Sequence, residues 1–265
     1  MQNKNLKLGS MEIGFFSWIQ LKQKSQVRLP EVETVLGLTK RQAIKLLSRL
    51  SQNGLILRIA KGIYLVPNKL PAGGKWGPNK YWVLQQYMNL TNTEYQITGP
   101  DAFNKYGYSD QLPFEIAVYN TRFSRNKKIG QLRYQLIKVH PRRIGGIKWL
   151  QIEGNRIPFS SPGRTLMDAL YDWSRFNTIP SVFNWIRERK NDKNLISEFV
   201  DSTLQFGNVG TIRRLGYFLE FERLTPWIKK IEKKVPKTQS FIALNPNKPK
   251  KGKINKKWGL VINSD

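Results

Sequence analysis

The stretch Thr39-Lys40-Arg41-Gln42-Ala43-Ile44-Lys45-Leu46-Leu47-Ser48-Arg49-Leu50-Ser51-Gln52-Asn53-Gly54-Leu55-Ile56-Leu57-Arg58-Ile59-Ala60-Lys61-Gly62-Ile63-Tyr64-Leu65-Val66 decides how the N-terminal part of the chain is read. Thr39 followed three residues later by Gln42 is a capping box, in which each side chain serves the other's backbone amide. Beyond it, Ala43, Ile44, Leu47 and Leu50 recur at helical spacing and are expected to face inward, while Lys40, Arg41, Lys45, Ser48, Arg49 and Gln52 point elsewhere. Asn53-Gly54 supplies the stop. Two short apolar runs, 55–59 and 63–66, then flank Ala60-Lys61-Gly62 and read as a β-hairpin with a lysine at its tip.

Upstream, residues 11–24 place Ile13, Phe16 and Ile19, or Phe15, Trp18 and Leu21, at helical spacing. Pro30 suits a first helical position, and Val32, Val35 and Leu36 form a short apolar face that Gly37 ends. Helix, short helix, tight turn, helix and hairpin make a winged helix-turn-helix. In that geometry the second helix of the pair enters the DNA major groove N-terminus first, where amide donors and the positive dipole end meet phosphate. Thr39, Lys40, Arg41, Gln42 and Lys45 become DNA-contact candidates. Arg41 or Lys45 suits guanine and Gln42 suits adenine, each good bidentate pair contributing about 1–3 kcal/mol of discrimination. Arg49, a turn further on, is expected to reach a phosphate, and Arg58 and Lys61 on the wing to contact phosphate or the minor groove. The competing reading is a module that docks protein and leaves its basic face solvated.

The composition of the whole chain agrees with a polyanionic partner. Its 265 residues carry 45 Lys+Arg against 18 Asp+Glu, a formal net charge of +27, far beyond what solubility needs. Nucleic acid is the first candidate and an anionic membrane surface the second. Genome-wide base bias enriches Lys and Asn but does not account for the scarcity of acids. Residues 1–70 carry 12 Lys+Arg and 3 Asp+Glu, residues 71–227 carry 22 and 13, and residues 228–265 carry 11 and 2, so both ends are more basic per residue than the middle. A hydrophobic fraction of 40% is enough for a core, and at roughly 100–200 residues per domain the length suggests two domains.

The absence of cysteine excludes a disulfide scaffold, a Cys-ligated zinc or iron–sulfur site and a thiol nucleophile, and the single histidine, His140, excludes a multi-histidine metal site. No apolar run approaches the ~18 residues of a membrane span. The run Ile13-Gly14-Phe15-Phe16 is cut by Ser17 and preceded by Glu12, unlike a cleaved leader. A cytoplasmic protein without metal or cofactor is expected.

The segment 67–78 has no helical or strand period, which sets the expected organisation: an N-terminal domain over 1–70, a linker over 71–78 and a C-terminal domain over 79–265. In the C-terminal part, 95–98, 115–119, 132–139 and a hairpin of 148–153 and 156–159 about Gly154-Asn155 suggest a small antiparallel sheet. Helices are expected over 164–175, 181–189, 194–205 and 209–221, the last with Arg213 and Arg214 outward. Strands over 241–244 and 258–262 bracket a lysine-rich loop. The fold class is α+β. Lys250, Lys251, Lys253, Lys256 and Lys257, with Arg213 and Arg214, form a candidate second phosphate-contacting surface, where Trp258 and Phe241 are placed either to stack bases or to fill the strand core.

Enzymatic chemistry finds little support. His140 has no acidic neighbour to orient it. No phosphate-binding glycine loop is present, since Gly73-Gly74 and Gly145-Gly146 lack the required flanks. The alternative function is an RNA-binding or metal-dependent nucleic-acid-processing protein. For it Asp101 and Glu115 offer a carboxylate pair, with Ala117 where a nuclease usually has lysine, and Glu232-Lys233-Lys234 lies on an expected helix.

Four segments together resemble a known family: the wing Gly54-Leu55-Ile56-Leu57-Arg58-Ile59-Ala60-Lys61-Gly62-Ile63-Tyr64-Leu65, the helix start Arg164-Thr165-Leu166-Met167-Asp168-Ala169-Leu170, the segment Arg213-Arg214-Leu215-Gly216-Tyr217-Phe218-Leu219-Glu220, and the closing strand Trp258-Gly259-Leu260-Val261-Ile262-Asn263. In order and across nearly the whole chain, they resemble the AbiEi family, antitoxins of bacterial type IV toxin-antitoxin systems. The resemblance implies a winged-helix repressor that binds repeats in its own promoter. It also implies a C-terminal domain needed to counter a nucleotidyltransferase-like toxin without necessarily binding it. By the same resemblance the DNA contacts map onto Lys40, Arg41, Gln42, Lys45, Arg58 and Lys61.

Overall fold

Phe15, Phe16 and Ile19 lie on one face of helix α1 (Ser10–Leu21) and are buried, whereas Ile13 and Leu21 stay exposed. A short strand that the periodicity does not announce, β1 (Gln26–Arg28), leads into α2 (Leu29–Leu36), which carries Pro30 in its first turn and ends at Gly37 with φ 59. Helix α3 (Lys40–Gln52) starts at the capping box: Thr39 Oγ1 accepts from the Gln42 amide at 3.4 Å, and Gln42 Oε1 accepts from the Thr39 amide at 2.9 Å. The hairpin β2 (Leu57–Ala60) and β3 (Ile63–Leu65) follows, and β3 lies between β1 and β2 in a three-stranded antiparallel sheet.

In α3 the inward stripe is Ala43, Leu46, Leu47 and Leu50, and Ile44 is 44% exposed. This corrects the expected stripe. The sets 43, 44, 47, 50 and 43, 46, 47, 50 both fit the helical period, and packing turns the inward face toward Leu46, which leaves Ile44 outside it.

The computed structural model describes residues 8–70, 75–235 and 240–263 and forms two compact units, Met1–Asn92 with Lys127–Arg133, and Thr93–Asn126 with Tyr134–Asp265. Helix α4 (Lys80–Leu90), capped by Asn79, therefore groups with the first unit rather than with the C-terminal domain expected from residue 79. The physical reason is local. Trp76 donates its backbone N–H to Gly54 O at 2.8 Å and packs edge-on to Trp82, while α4 buries Val83, Leu84, Tyr87 and Met88. Residues 71–74 of the expected linker lie outside the described residues.

The second unit is built on a mixed sheet of six strands in the order β6-β7-β5-β4-β9-β8, larger than the small antiparallel sheet expected. Its strands are β4 (Tyr95–Thr98), β5 (Ile116–Asn120), β6 (Arg125–Ile129), β7 (Leu132–Lys138), β8 (Ile147–Ile152) and β9 (Asn155–Ser160), with α5 (Pro100–Lys105) between the first two. The pairs β4–β9 and β5–β7 are parallel. The tip of the β6–β7 hairpin belongs to the first unit, where Gly130, at φ 59, lies against the Leu57 side chain. The β8–β9 turn is centred on Glu153 and Gly154, both at positive φ, one residue earlier than read from Gly154-Asn155.

Helices α6 (Pro162–Tyr171), α7 (Trp173–Phe176), α8 (Ser181–Glu188), α9 (Lys193–Phe206), α10 (Val209–Phe221) and α11 (Thr225–Glu232) build the core around Leu166, Leu170, Phe199, Leu215 and Leu219. A buried polar cluster joins α6 to the sheet. Asp168, fully buried, accepts from Arg164 Nε at 2.8 Å, Thr98 Oγ1 at 2.7 Å and Ser160 Oγ at 2.7 Å. The rest of the Arg164 guanidinium donates to Gly145 O and Arg143 O at 2.8 and 3.0 Å. Both charges are thus surrounded by hydrogen bonds, the condition on which a buried ion pair is tolerated. A small sheet, β10 (Ile242–Ala243), β11 (Lys253–Asn255) and β12 (Leu260–Ile262) in the order β10-β12-β11, completes the unit. Lys253 is therefore in a strand, not in a loop. Trp258 is fully buried against Gly216 and donates its Nε1–H to Glu220 at 2.5 Å, which excludes it as a stacking platform for bases.

Candidate nucleic-acid interface

Helix α3 presents Lys40, Arg41, Ile44, Lys45, Arg49 and Gln52 on its exposed side. Lys40 and Arg41 occupy the first turn, which contains no acidic residue, and neither they nor Lys45 makes an ion pair among the described residues. Two unpaired cations at the positive end of a helix dipole are unfavourable for the helix by itself. The first-turn amides lie beside them, so this end of α3 can receive an anion both through backbone donors and through side-chain charge.

The remaining candidates divide. Lys61 is exposed in the β2–β3 turn, and Arg58, also exposed, bonds the nearby Ala60 carbonyl through Nε at 3.3 Å. Arg49 differs from its expected role as a free phosphate contact. Its Nε lies 2.9 Å from Glu12 Oε1, and Glu12 is only 6% exposed, with its other oxygen accepting the Gly9 N–H at 2.7 Å. Arg49 therefore neutralises a carboxylate that α1 buries. Gln42 is also committed: its Oε1 accepts from both the backbone N–H and the hydroxyl of Thr39, at 2.9 and 2.7 Å. A backbone N–H can only donate, so the atom facing it is the amide oxygen, and both of its lone pairs are used. Bidentate pairing with adenine would require that oxygen and would break the cap.

In the second unit Lys250, Lys251, Lys253 and Lys256 are exposed and make no ion pair among the described residues. Lys257 is paired, with Glu220 at 2.6 Å and Glu232 at 2.7 Å, and these hydrogen bonds raise its pKa. Arg213 and Arg214 are not outward: they are 5% and 7% exposed. Arg213 Nη1 donates to Ser240 O at 3.2 Å, and Arg214 donates to Leu244 O and Ala243 O at 3.1 and 3.0 Å, so these arginines hold the segment leading into the small sheet. Burial pulls the Arg214 guanidinium down to about 10. The long arginine stem, which can reach backbone carbonyls from a mostly apolar helix, is what the helical wheel alone misses.

His140 is exposed and caps the short turn Pro141–Arg143, accepting the Arg142 N–H at 3.2 Å through Nδ1. Asp101 is buried on α5. Among the described residues no group of three or more His, Asp or Glu side chains is placed to hold a metal ion, and no helix is long and apolar enough to cross a membrane. Two residues beyond the expected set bear on this surface: Glu12, which ties down Arg49, and Ile44, which was expected to face inward. Glu12 was legible as an acid three residues after Gly9 in an otherwise apolar face. The outward place of Ile44 was not legible, because a stripe of 43, 44, 47 and 50 fits the helical period as well as one of 43, 46, 47 and 50.

Fold and surface together define a two-unit α+β protein with an exposed cationic helix end. The chain belongs to the family described as a family of unknown function, DUF6088, whose model matches residues 18–151. In fold it is similar to the RV2827C protein from Mycobacterium tuberculosis, with a TM-score of 0.65 at 12% identity over 97% of this chain and 93% of that one. No curated protein matches the sequence.

Proposed function

We propose that this protein is a DNA-binding transcriptional autorepressor whose N-terminal unit is a winged helix-turn-helix, and that it acts as the antitoxin of a type IV toxin-antitoxin system. The observation that carries the DNA-binding part is the exposed set Lys40, Arg41 and Lys45 at the start of α3, which makes no ion pair among the described residues. The element order helix, strand, helix, helix, strand, strand, with sheet order β1-β3-β2, supports the reading, as do Lys61 in the hairpin turn and the net charge of +27. Base readout then rests on Arg41 and Lys45 rather than on Gln42. The antitoxin part rests on the AbiEi resemblance. In that reading the protein is cytoplasmic, works without a cofactor, and has promoter DNA as its direct partner.

The test is equilibrium binding to the duplex upstream of the protein's own reading frame, to random duplex and to RNA, across a salt series. Each phosphate contact contributes about 0.9 to the log–log slope. Arg41→Ala with Lys45→Ala should remove the preference for the upstream duplex and lower the slope. Unchanged preference would reject the assignment of α3, and tighter binding to RNA than to either duplex would favour the RNA-binding alternative. Co-expression with a neighbouring nucleotidyltransferase-like reading frame tests the antitoxin part: failure of the chain to restore growth would reject it.

A further inference from the structure

Among the basic and polar side chains on the outer side of α3, Ile44 is out of place. It is a large aliphatic residue, 44% exposed, with Arg41 one turn before it, Lys45 beside it and Ser48 one turn after it. The core does not need it, because Ala43, Leu46, Leu47 and Leu50 already complete the buried stripe. Position 44 lies on the outward arc toward its Leu47 side, with Arg41 and Lys45 nearer the middle of the arc, so on a groove-bound helix its side chain flanks those two cations rather than the core. In the major groove the one apolar feature of a base pair is the C5-methyl group of thymine. The polar reader expected nearby is withdrawn, since Gln42 spends its amide oxygen on the Thr39 cap.

We infer that Ile44 is a specificity-determining residue that packs on a thymine methyl, with the flanking Arg41 and Lys45 donating to neighbouring base edges or phosphates. This rests on the reading of α3 as the helix that enters the groove. It replaces hydrogen-bond selection of adenine at position 42 by apolar selection of thymine at position 44.

Replacing thymine by deoxyuridine deletes only the methyl group and leaves every hydrogen-bonding atom in place, so it isolates the contact. The probe is the best-bound duplex recovered from a randomised pool by the full-length protein, with each thymine in turn replaced by deoxyuridine. At one position per bound module the wild type should lose about 3- to 10-fold in affinity, the scale of one buried methyl group. Ile44→Ala should bind the thymine duplex as weakly as the wild type binds the uracil duplex and should no longer distinguish the two, closing a double-mutant cycle with a clear coupling. Val35→Ala, which removes another exposed aliphatic side chain from the neighbouring helix α2, should keep the distinction. Wild-type protein that binds duplex but tolerates uracil everywhere would overturn the inference and leave the DNA-binding reading standing, as would discrimination retained by Ile44→Ala. A change of oligomeric state in Ile44→Ala with discrimination intact would reassign the residue to a protein contact. No salt-dependent duplex binding by the wild type would overturn both readings.

Discussion

Reversing the charges at the start of α3 should strengthen the fold and remove the binding. Lys40 and Arg41 are the first two residues of a 13-residue helix, exposed and without an acidic residue in the first turn. A charge near a helix terminus is worth roughly 0.3–1 kcal/mol at low ionic strength, and here both have the unfavourable sign. Changing each to Glu turns a cost into a gain. With the lower part of that range taken because both side chains are solvated, Lys40→Glu with Arg41→Glu should stabilise α3 by about 1–2 kcal/mol. Amide exchange is the suitable assay because it reports this helix rather than the whole chain. Protection over residues 43–50 should rise by a factor of about 5–30. The gain should fade near 1 M salt, where the Debye length shrinks to about 3 Å. The cap itself is untouched, since Thr39 and Gln42 remain. Duplex affinity should collapse in the same variant. Protection that falls, or that rises equally at high salt, would refute the dipole argument, and retained duplex binding would refute the assignment of these cations to phosphate.

Three further outcomes follow from the geometry. Arg49→Ala leaves the buried Glu12 carboxylate without its cation. Because Arg49 is itself half exposed, denaturant unfolding should show a loss of only about 1–3 kcal/mol, and Glu12→Gln in the same chain should recover part of it. Asp168→Ala strips the fully buried Arg164 of its partner and should cost about 3–5 kcal/mol by the same measurement, with the second unit affected first in amide exchange. Acid titration tests Glu222, whose pKa burial alone would raise but which the hydrogen bonds from Lys190 and Arg187 hold below the ordinary 4.5. A carboxylate with a depressed folded-state pKa contributes its stability above 4.5 and loses it as the pH falls through the folded value. Melting temperatures should therefore drop more slowly below that pH in Glu222→Gln than in the wild type.

Local signals made much of this architecture legible, and non-local pairing is where the reading stopped. The capping box, the Asn53-Gly54 stop, Gly37 and the hairpin about Lys61 each act within a few residues, and the chain adopts all four. Strand β1 is three residues long, and its place beside β3 depends on partners far along the chain. The parallel pairs β4–β9 and β5–β7 have the same origin, since nothing within Tyr95–Thr98 specifies Asn155–Ser160 as a neighbour. Sequence distance assigns helix α4 to the C-terminal domain, yet it groups with the hairpin unit, because an apolar face of Val83, Leu84, Tyr87 and Met88 must be covered wherever a partner is offered.

The same contrast separates the residues that serve the fold from those that do not. Arg213, Arg214, Arg49 and Lys257 looked like free cations on a helical wheel or in a lysine run, and each has a partner that accounts for it. Among the described residues Lys40 and Arg41 have no ion-pair partner, and Ile44 lies outside the buried stripe. Two oppose the dipole of the helix they begin, and the third exposes aliphatic surface beside them. Natural sequences are locally consistent except where a site exacts a cost, so three violations on one helix face argue more strongly for a ligand than the total charge of the chain does. On the proposed reading, a thymine-containing duplex major groove, anionic along its length and apolar at intervals, would answer all three at once.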